Sequence, residues 1–345
     1  MHELGHGHSF TKFTGEVEAA VNLNYVAVMN RKFGMALEPA FGESIGAGGS
    51  ADMTTITLKN VSLMWTLKNV FRTGNKTMLD ADMRYEHKGH AKYVEIANLF
   101  GWQALGDFWH SVHVDYEKGI DYPENSDPTD SRILRLSKAA GVDLRPLFHF
   151  WGAPPLNATS LRNSINAAGL KPSGAIYRRL LFYQAAIPAS QSAYNNFYWA
   201  IDQTGADSEI QAMFDDKTYT TAIGDSASNA IQGIINLYFP NGDPDITTRT
   251  WDITPGIAGT GNGVINSGAG TWNTSTANWT TDAGANNVPW VNVSHAAFGA
   301  GSYTVNVAAG VSVGDLTIAP GAGNITLKAV ADNGTLAFST NSADP

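Results

Sequence analysis

The last 95 residues of the chain follow a period of two. Tyr303, Val305 and Val307 alternate with polar neighbours, as do Val311 and Val313, Leu316 and Ile318, Ile325 and Leu327, and Leu336 and Phe338. Alternation of this kind, broken at Ala-Gly, Pro-Gly-Ala-Gly and Asp-Asn-Gly, predicts short strands joined by tight turns. The first 250 residues read mostly as helix instead. A Thr14-Gly15 break precedes an unbroken helical stretch from Glu16 to about Arg31, and another runs from about His90 to Tyr116. Asp127-Pro128-Thr129-Asp130 has the chemistry of a helix start, and Gly141 that of its end. Asp143 opens a short helix closed by Trp151-Gly152-Ala153-Pro154-Pro155, and further helices are predicted near 159–168, 173–184, 190–202 and 226–238. The pattern therefore predicts an α-then-β multidomain chain: residues 1–250 helical, residues 251–345 a β region, with Asn241-Gly242-Asp243-Pro244 as the linker start.

Composition sharpens that division. The β region holds 14 of the 35 glycines, Lys328 as its one base, and five acids. It is poor in the groups that catalysis uses. The whole chain of 345 residues is 43% hydrophobic, enough for a sizeable core, and its net charge of −9 argues against a nucleic-acid partner. Cysteine is absent, which excludes disulfides, thiolate metal sites and cysteine nucleophiles. No apolar run reaches the roughly 18 residues of a membrane span, and Met1-His2-Glu3-Leu4 lacks signal-peptide character.

The chemistry sits at the first residues. His2-Glu3-Leu4-Gly5-His6 is an H-E-x-x-H sequence. On a helix, residues i and i+4 share a face, so His2 and His6 can bind one Zn²⁺. Glu3 lies about 100° round the helix and can reach a water activated by the metal, as a general base. A catalytic zinc takes three protein ligands. Glu16 and Glu18 are the only carboxylates in the following thirty residues. Spacing alone does not choose between them, because residues two apart on a helix face different ways.

These residues carry a resemblance. His2-Glu3-Leu4-Gly5-His6, then Gly15-Glu16-Val17 and a helix with Tyr25, resembles the enhancin-type gluzincins of the M-sixty peptidase family, which includes mucin-degrading enzymes. The resemblance implies that His2, His6 and Glu16 bind zinc and that Glu3 is the general base of an endopeptidase. Its implied substrates are glycoproteins such as mucins. Ala19 and Ala20 stand where the family often has asparagines. Phe100-Gly101-Trp102-Gln103, Ser137-Lys138-Ala139-Ala140-Gly141 and Phe150-Trp151-Gly152 resemble the helical subdomain behind the zinc helix. The family carries a β-rich segment before that helix, which implies such a segment upstream of Met1.

Other polar groups have plainer explanations. His8 is too close to His6 to join the same tetrahedron. His87 with His90, and His110 with His113, are i,i+3 pairs that fit half-buried or surface helix positions. Tyr85, His87, His90 and Tyr93 are candidates for stabilising the oxyanion of a peptidase intermediate, and sequence does not select among them. Asp121, Glu124, Asp127 and Asp130 lack the order of a calcium loop and fit a capping loop. Trp102, Trp109 and Trp151 fit core packing before sugar stacking.

In the β region, Gly270-Thr271-Trp272-Asn273, Ala277-Asn278-Trp279 and Ala297-Phe298-Gly299 precede two alternating strands. This is similar to the autotransporter-associated β-strand repeat of bacterial surface proteins, which implies a β-solenoid or β-helix and more copies downstream. Two functional classes follow. One is a secreted or cell-surface zinc endopeptidase. The other is a surface binding or structural module derived from such an enzyme. Hydrolysis that depends on Glu3 discriminates them.

Overall fold

The computed structural model describes residues 20–45, 57–73, 78, 86–119, 129–202, 218–240, 242–245, 247–254, 259–330 and 336–338. The chain divides into two units, Met1–Pro240 and Asn241–Pro345.

The first unit is helical throughout its described residues. Its helices are α1 Leu23–Phe33, α2 Leu37–Ile45, α3 Leu58–Thr73, α4 Glu86–Phe100, α5 Trp102–Glu117, α6 Thr129–Ala140, α7 Arg145–Phe150, α8 Ala158–Ala167, α9 Gly174–Ala185, α10 Gln191–Asp202 and α11 Thr221–Tyr238. None is long and apolar enough to cross a membrane.

Two stretches expected to be continuous are not. Val21 and Asn22 form a turn, so α1 begins at Leu23 rather than continuing from Glu16. Asparagine competes with its neighbours' backbone bonds and favours helix ends over interiors. Likewise, the stretch from His90 to Tyr116 is two helices, α4 and α5, separated at Gly101 with φ +82°. Only glycine adopts that left-handed conformation without strain, so the helix breaks where the residue permits it. Gly141 ends α6 as expected, with φ +73° and Val142 N–H donating to the Ser137 carbonyl at 3.1 Å. Helices α7 to α10 match their expected positions within two residues, while α11 starts at Thr221, five residues before 226. The Thr220 side chain accepts from Ile223 N–H at 3.3 Å and fixes that earlier start.

The unit is organised around α3, which packs against α4, α9 and α11. Every residue from Val61 to Val70 is buried. A helix covered on all sides carries no amphipathic stripe. Its hydroxyls are satisfied within the helix: Ser62 donates to Lys59 O at 2.6 Å and Thr66 to Ser62 O at 2.8 Å. The Lys68 ammonium lies 4.2 Å from the Trp65 ring centroid, a cation–π contact inside the core.

The second unit is built of short strands: β1 Thr248–Trp251, β2 Gly270–Trp272, β3 Trp279–Thr280, β4 Asn287–Val288, β5 His295–Phe298, β6 Tyr303–Val307, β7 Ser312–Val313, β8 Asp315–Ile318, β9 Ile325–Ala329 and β10 Ala337–Phe338. They form three sheets, ordered β4-β3-β1-β5-β8, β2-β6-β9 and β10-β7. Pairing is parallel along β1-β5-β8, along β2-β6-β9 and between β7 and β10. It is antiparallel only among β1, β3 and β4. Thr250, Ala297 and Thr317 stand in one register across the first sheet. From β5 to β8 the chain returns to the same register twenty residues on, His295 opposite Asp315.

The alternating apolar residues of the inner strands fill a core with Trp251, Trp272, Trp279, Trp290 and Phe298. Trp279 and Trp290 lie 4.6 Å apart by ring centroids, and Trp272 and Trp290 4.8 Å. Trp251 Nε1 donates to Gly268 O at 2.8 Å and Trp290 Nε1 to Ser312 O at 3.0 Å, giving two buried indoles their polar partners.

Candidate functional site

His2, Glu3, His6, Glu16 and the alternative Glu18 all lie outside the described residues, as does His8. The described structure begins where the chain leaves them. Ala20, Val21, Asn22, Leu23 and Val26 are all buried, so the polypeptide after Glu18 enters the core at once. Helix α1 packs on α2 and α4. Tyr25 ties it to α2, its hydroxyl donating to Glu43 Oε2 at 2.9 Å. Burial and this bond to a carboxylate raise the Tyr25 pKa, so the phenol stays a donor. At the other end of α1, Trp102 Nε1 donates to Asn30 Oδ1 at 2.7 Å and Asn30 Nδ2 to Met35 O at 2.8 Å. Helix α1 is therefore held at both ends.

Of the four oxyanion candidates, Tyr85 and the His87 side chain lie outside the described residues. His90 and Tyr93 are buried on α4. The His90 Nε2 is 2.8 Å from Ser44 Oγ on α2, and its ring packs 5.1 Å from that of Phe41. Ser44 also donates to Phe41 O at 2.6 Å, which leaves its oxygen as the acceptor for a His90 Nε2–H. Tyr93 packs edge-on to Trp109 at 5.3 Å. His113 pairs with Glu117 at 3.1 Å, and His110 is exposed.

Asp121, Glu124 and Asp127 lie outside the described residues. Asp130 accepts from Leu156 and Asn157 N–H, both at 2.7 Å, and staples the loop before α8 to α6. Trp151 is wholly buried, and Trp102 and Trp109 pack against the same core. Among the described residues, no group of three His, Asp or Glu side chains is placed to hold a metal.

One buried charged cluster gave no sequence signal. Glu95 on α4 is fully buried, and its Oε1 accepts from Arg179 Nε on α9 at 2.7 Å. Its Oε2 accepts from the Tyr183 hydroxyl. Glu38 on α2 adds two links: Oε2 accepts from Leu58 N–H, at the start of α3, at 2.7 Å, and Oε1 lies 3.5 Å from Arg179 Nη2. Burial works to lower the Arg179 pKa, but Glu95, Tyr183 and Glu38 together raise it, so the guanidinium stays charged. Burial pushes the Glu95 carboxyl up against the opposing pull of Arg179 and Tyr183. The cluster joins α2, α3, α4 and α9. Glu95 sits in the apolar run Tyr93-Val94-Glu95-Ile96-Ala97, and its cation is 84 residues away.

A histidine on α7 gives the unit a pH dependence. His149 Nδ1 is 3.2 Å from the Tyr238 hydroxyl of α11, and burial lowers its pKa from the ordinary 6.5. The unfolded chain takes a proton near that ordinary value while the folded form refuses it. The stability linked to His149 is thus complete above about pH 6.5 and is lost as pH falls towards the depressed folded value. A melting series from pH 8 to 5 should fall less steeply below 6.5 for His149→Asn than for the unchanged chain. Parallel curves would mean that His149 does not supply this dependence.

Residues 1–152 match the family model Peptidase M60, enhancin and enhancin-like. No curated protein and no solved structure gave a significant match. The Peptidase M60 match supports a metallopeptidase with a polypeptide substrate. It spans helices α1 to α7 and ends beside Trp151. Arg179 and Tyr183, the partners of Glu95, therefore lie beyond the Peptidase M60 segment.

Proposed function

We propose that the chain is a zinc-dependent endopeptidase that hydrolyses glycoproteins, mucins first. The observation that carries this reading is the Peptidase M60 match over residues 1–152, whose first residues spell His2-Glu3-Leu4-Gly5-His6. Two imidazoles and a carboxylate, from His2, His6 and Glu16, are a donor set suited to catalytic zinc, with a coordination position left over. Zinc bound there supplies Lewis acidity that polarises the scissile carbonyl and acidifies water. Glu3 takes the proton of the attacking water and returns it to the leaving amine.

The second unit fits a separate role. Its in-register parallel pairing supports a short β-solenoid, like the surface-protein repeat its sequence resembles, and it carries few catalytic groups. In this reading the unit displays the peptidase at a cell surface or in a secreted protein.

The test is digestion of an O-glycosylated mucin by the purified chain. Cleavage should stop on chelation and return with zinc. A chain that holds zinc but leaves every glycoprotein intact, while binding mucin equally well after Glu3→Gln, would be a binding module instead.

A further inference from the structure

A cleft of about 590 Å³ opens on the β unit, within the range of small-molecule sites. Its floor is the row in which Thr250, Ala297 and Thr317 share one register across β1, β5 and β8. The next residues on β1 and β5, Trp251 and Phe298, are buried in the tryptophan core. Alternation along the strands therefore leaves the row itself on the outer face, where Thr250 and Ala297 are half-buried and Thr317 is exposed.

One wall is Ile265, Asn266 and Ser267. They belong to the long connection 252–269 between β1 and β2, whereas 299–302 joins β5 to β6 and 319–324 joins β8 to β9. Hydrogen bonds fix this wall to the end of β1. Asn266 N–H donates to Asp252 Oδ1 at 3.2 Å, and Ile253 N–H donates to Asn266 O at 3.0 Å. Asp252 is held in turn by Asn287, whose Nδ2 donates to its main-chain oxygen at 2.8 Å. A Cβ on Gly299 would lie 2.7 Å from Ser267 Oγ, so glycine lets the wall close on the end of β5.

The lining is three hydroxyls, one amide and apolar surface, with no charged side chain. Without a cation or a carboxylate it suits neither an anion nor a metal. A wholly apolar ligand would leave the hydroxyls and the amide without partners. The main chain of β5 pairs with β1 on one side and β8 on the other, so the floor offers no strand edge to a peptide. A pyranose ring has one apolar C–H face and a rim of neutral hydroxyls, which matches what remains. We propose that the cleft binds a neutral sugar of a glycan, its C–H face over Ala297 and its hydroxyls toward Thr250, Thr317 and Asn266. The site lies in the β unit and does not rest on the peptidase reading.

Saturation-transfer NMR on the full chain tests it, with the methyl glycosides of galactose, N-acetylgalactosamine, glucose and mannose, and with gluconate as an anionic polyol. Saturable binding of at least one neutral glycoside, and not of gluconate, is expected. Ala297→Leu fills the floor from the outer face and should abolish it. Thr250→Val and Thr317→Val keep the shape of the strand and should each weaken it about two- to tenfold, the worth of one hydrogen bond. Melting curves that match the parent show that each variant is folded. Failure of all four glycosides to saturate, equal binding of gluconate, or unchanged binding by a folded Ala297→Leu chain would overturn the proposal.

Discussion

Glu3→Gln is expected to keep its zinc and to hydrolyse mucin about 10²–10⁴-fold more slowly, the range that a positioned general base contributes. The amide is the same size as the carboxylate but cannot take the proton. His6→Ala should lose most of the metal, because two protein ligands do not hold zinc as three do. Glu16→Ala should weaken zinc far more than Glu18→Ala in competition with a chromogenic chelator. Equal zinc in His6→Ala and the unchanged chain would defeat the ligand assignment. A Glu16/Glu18 ranking in the opposite order would move the third ligand by two residues and leave the rest intact.

Arg179→Met should destabilise the helical unit by about 3–5 kcal/mol, the usual result of removing one member of a buried ion pair. Glu95 is fully buried and the Arg179 side chain only 12% exposed, so solvent cannot replace the lost partner. The double variant Glu95→Leu/Arg179→Met should regain much of that loss, since no charge is then left alone. Urea unfolding measures all three chains. A single variant within about 0.5 kcal/mol of the parent, as at ordinary surface sites, would show that the cluster does not hold α4 to α9.

How far these features were legible in the sequence follows from how local each signal is. Gly141 and the Trp151-Gly152 turn are punctuation within a few residues, and both stand where the pattern placed them. The β strands were visible through Val305, Val307, Val311 and Val313, whose alternation is also their burial. Gly101 carries the same kind of signal as Gly141, but it sits between two strongly helical runs that mask the break. Helices α2 and α3 gave no pattern: α2 contains Pro39 and Gly42, and α3 is covered on all sides, with Lys68 and Asn69 inside the core.

The candidate ligands were legible for a different reason. His2, the base Glu3 and His6 make a chemical statement in five residues, and Glu16 follows ten residues after His6. The Glu95–Arg179–Glu38 cluster is made by the fold alone, from residues as far as 141 positions apart. Asp252 and Asn287 meet across 35 positions, and neither residue type is unusual in a turn-rich β region.

The aromatic packing at the end of the matched segment shows that similarity and self-sufficiency have different limits. The match stops at residue 152, yet Phe150 stacks on Tyr183 at 5.0 Å, nearly parallel at 12°, and Trp151 meets the same ring at 6.1 Å. Cutting the chain at the edge of the recognisable segment would split that stack and strand its rings in water. The end of the match at residue 152 thus marks no seam in the packing of the protein. The smallest piece that keeps its own interior closed extends through α9 and α11, close to Pro240.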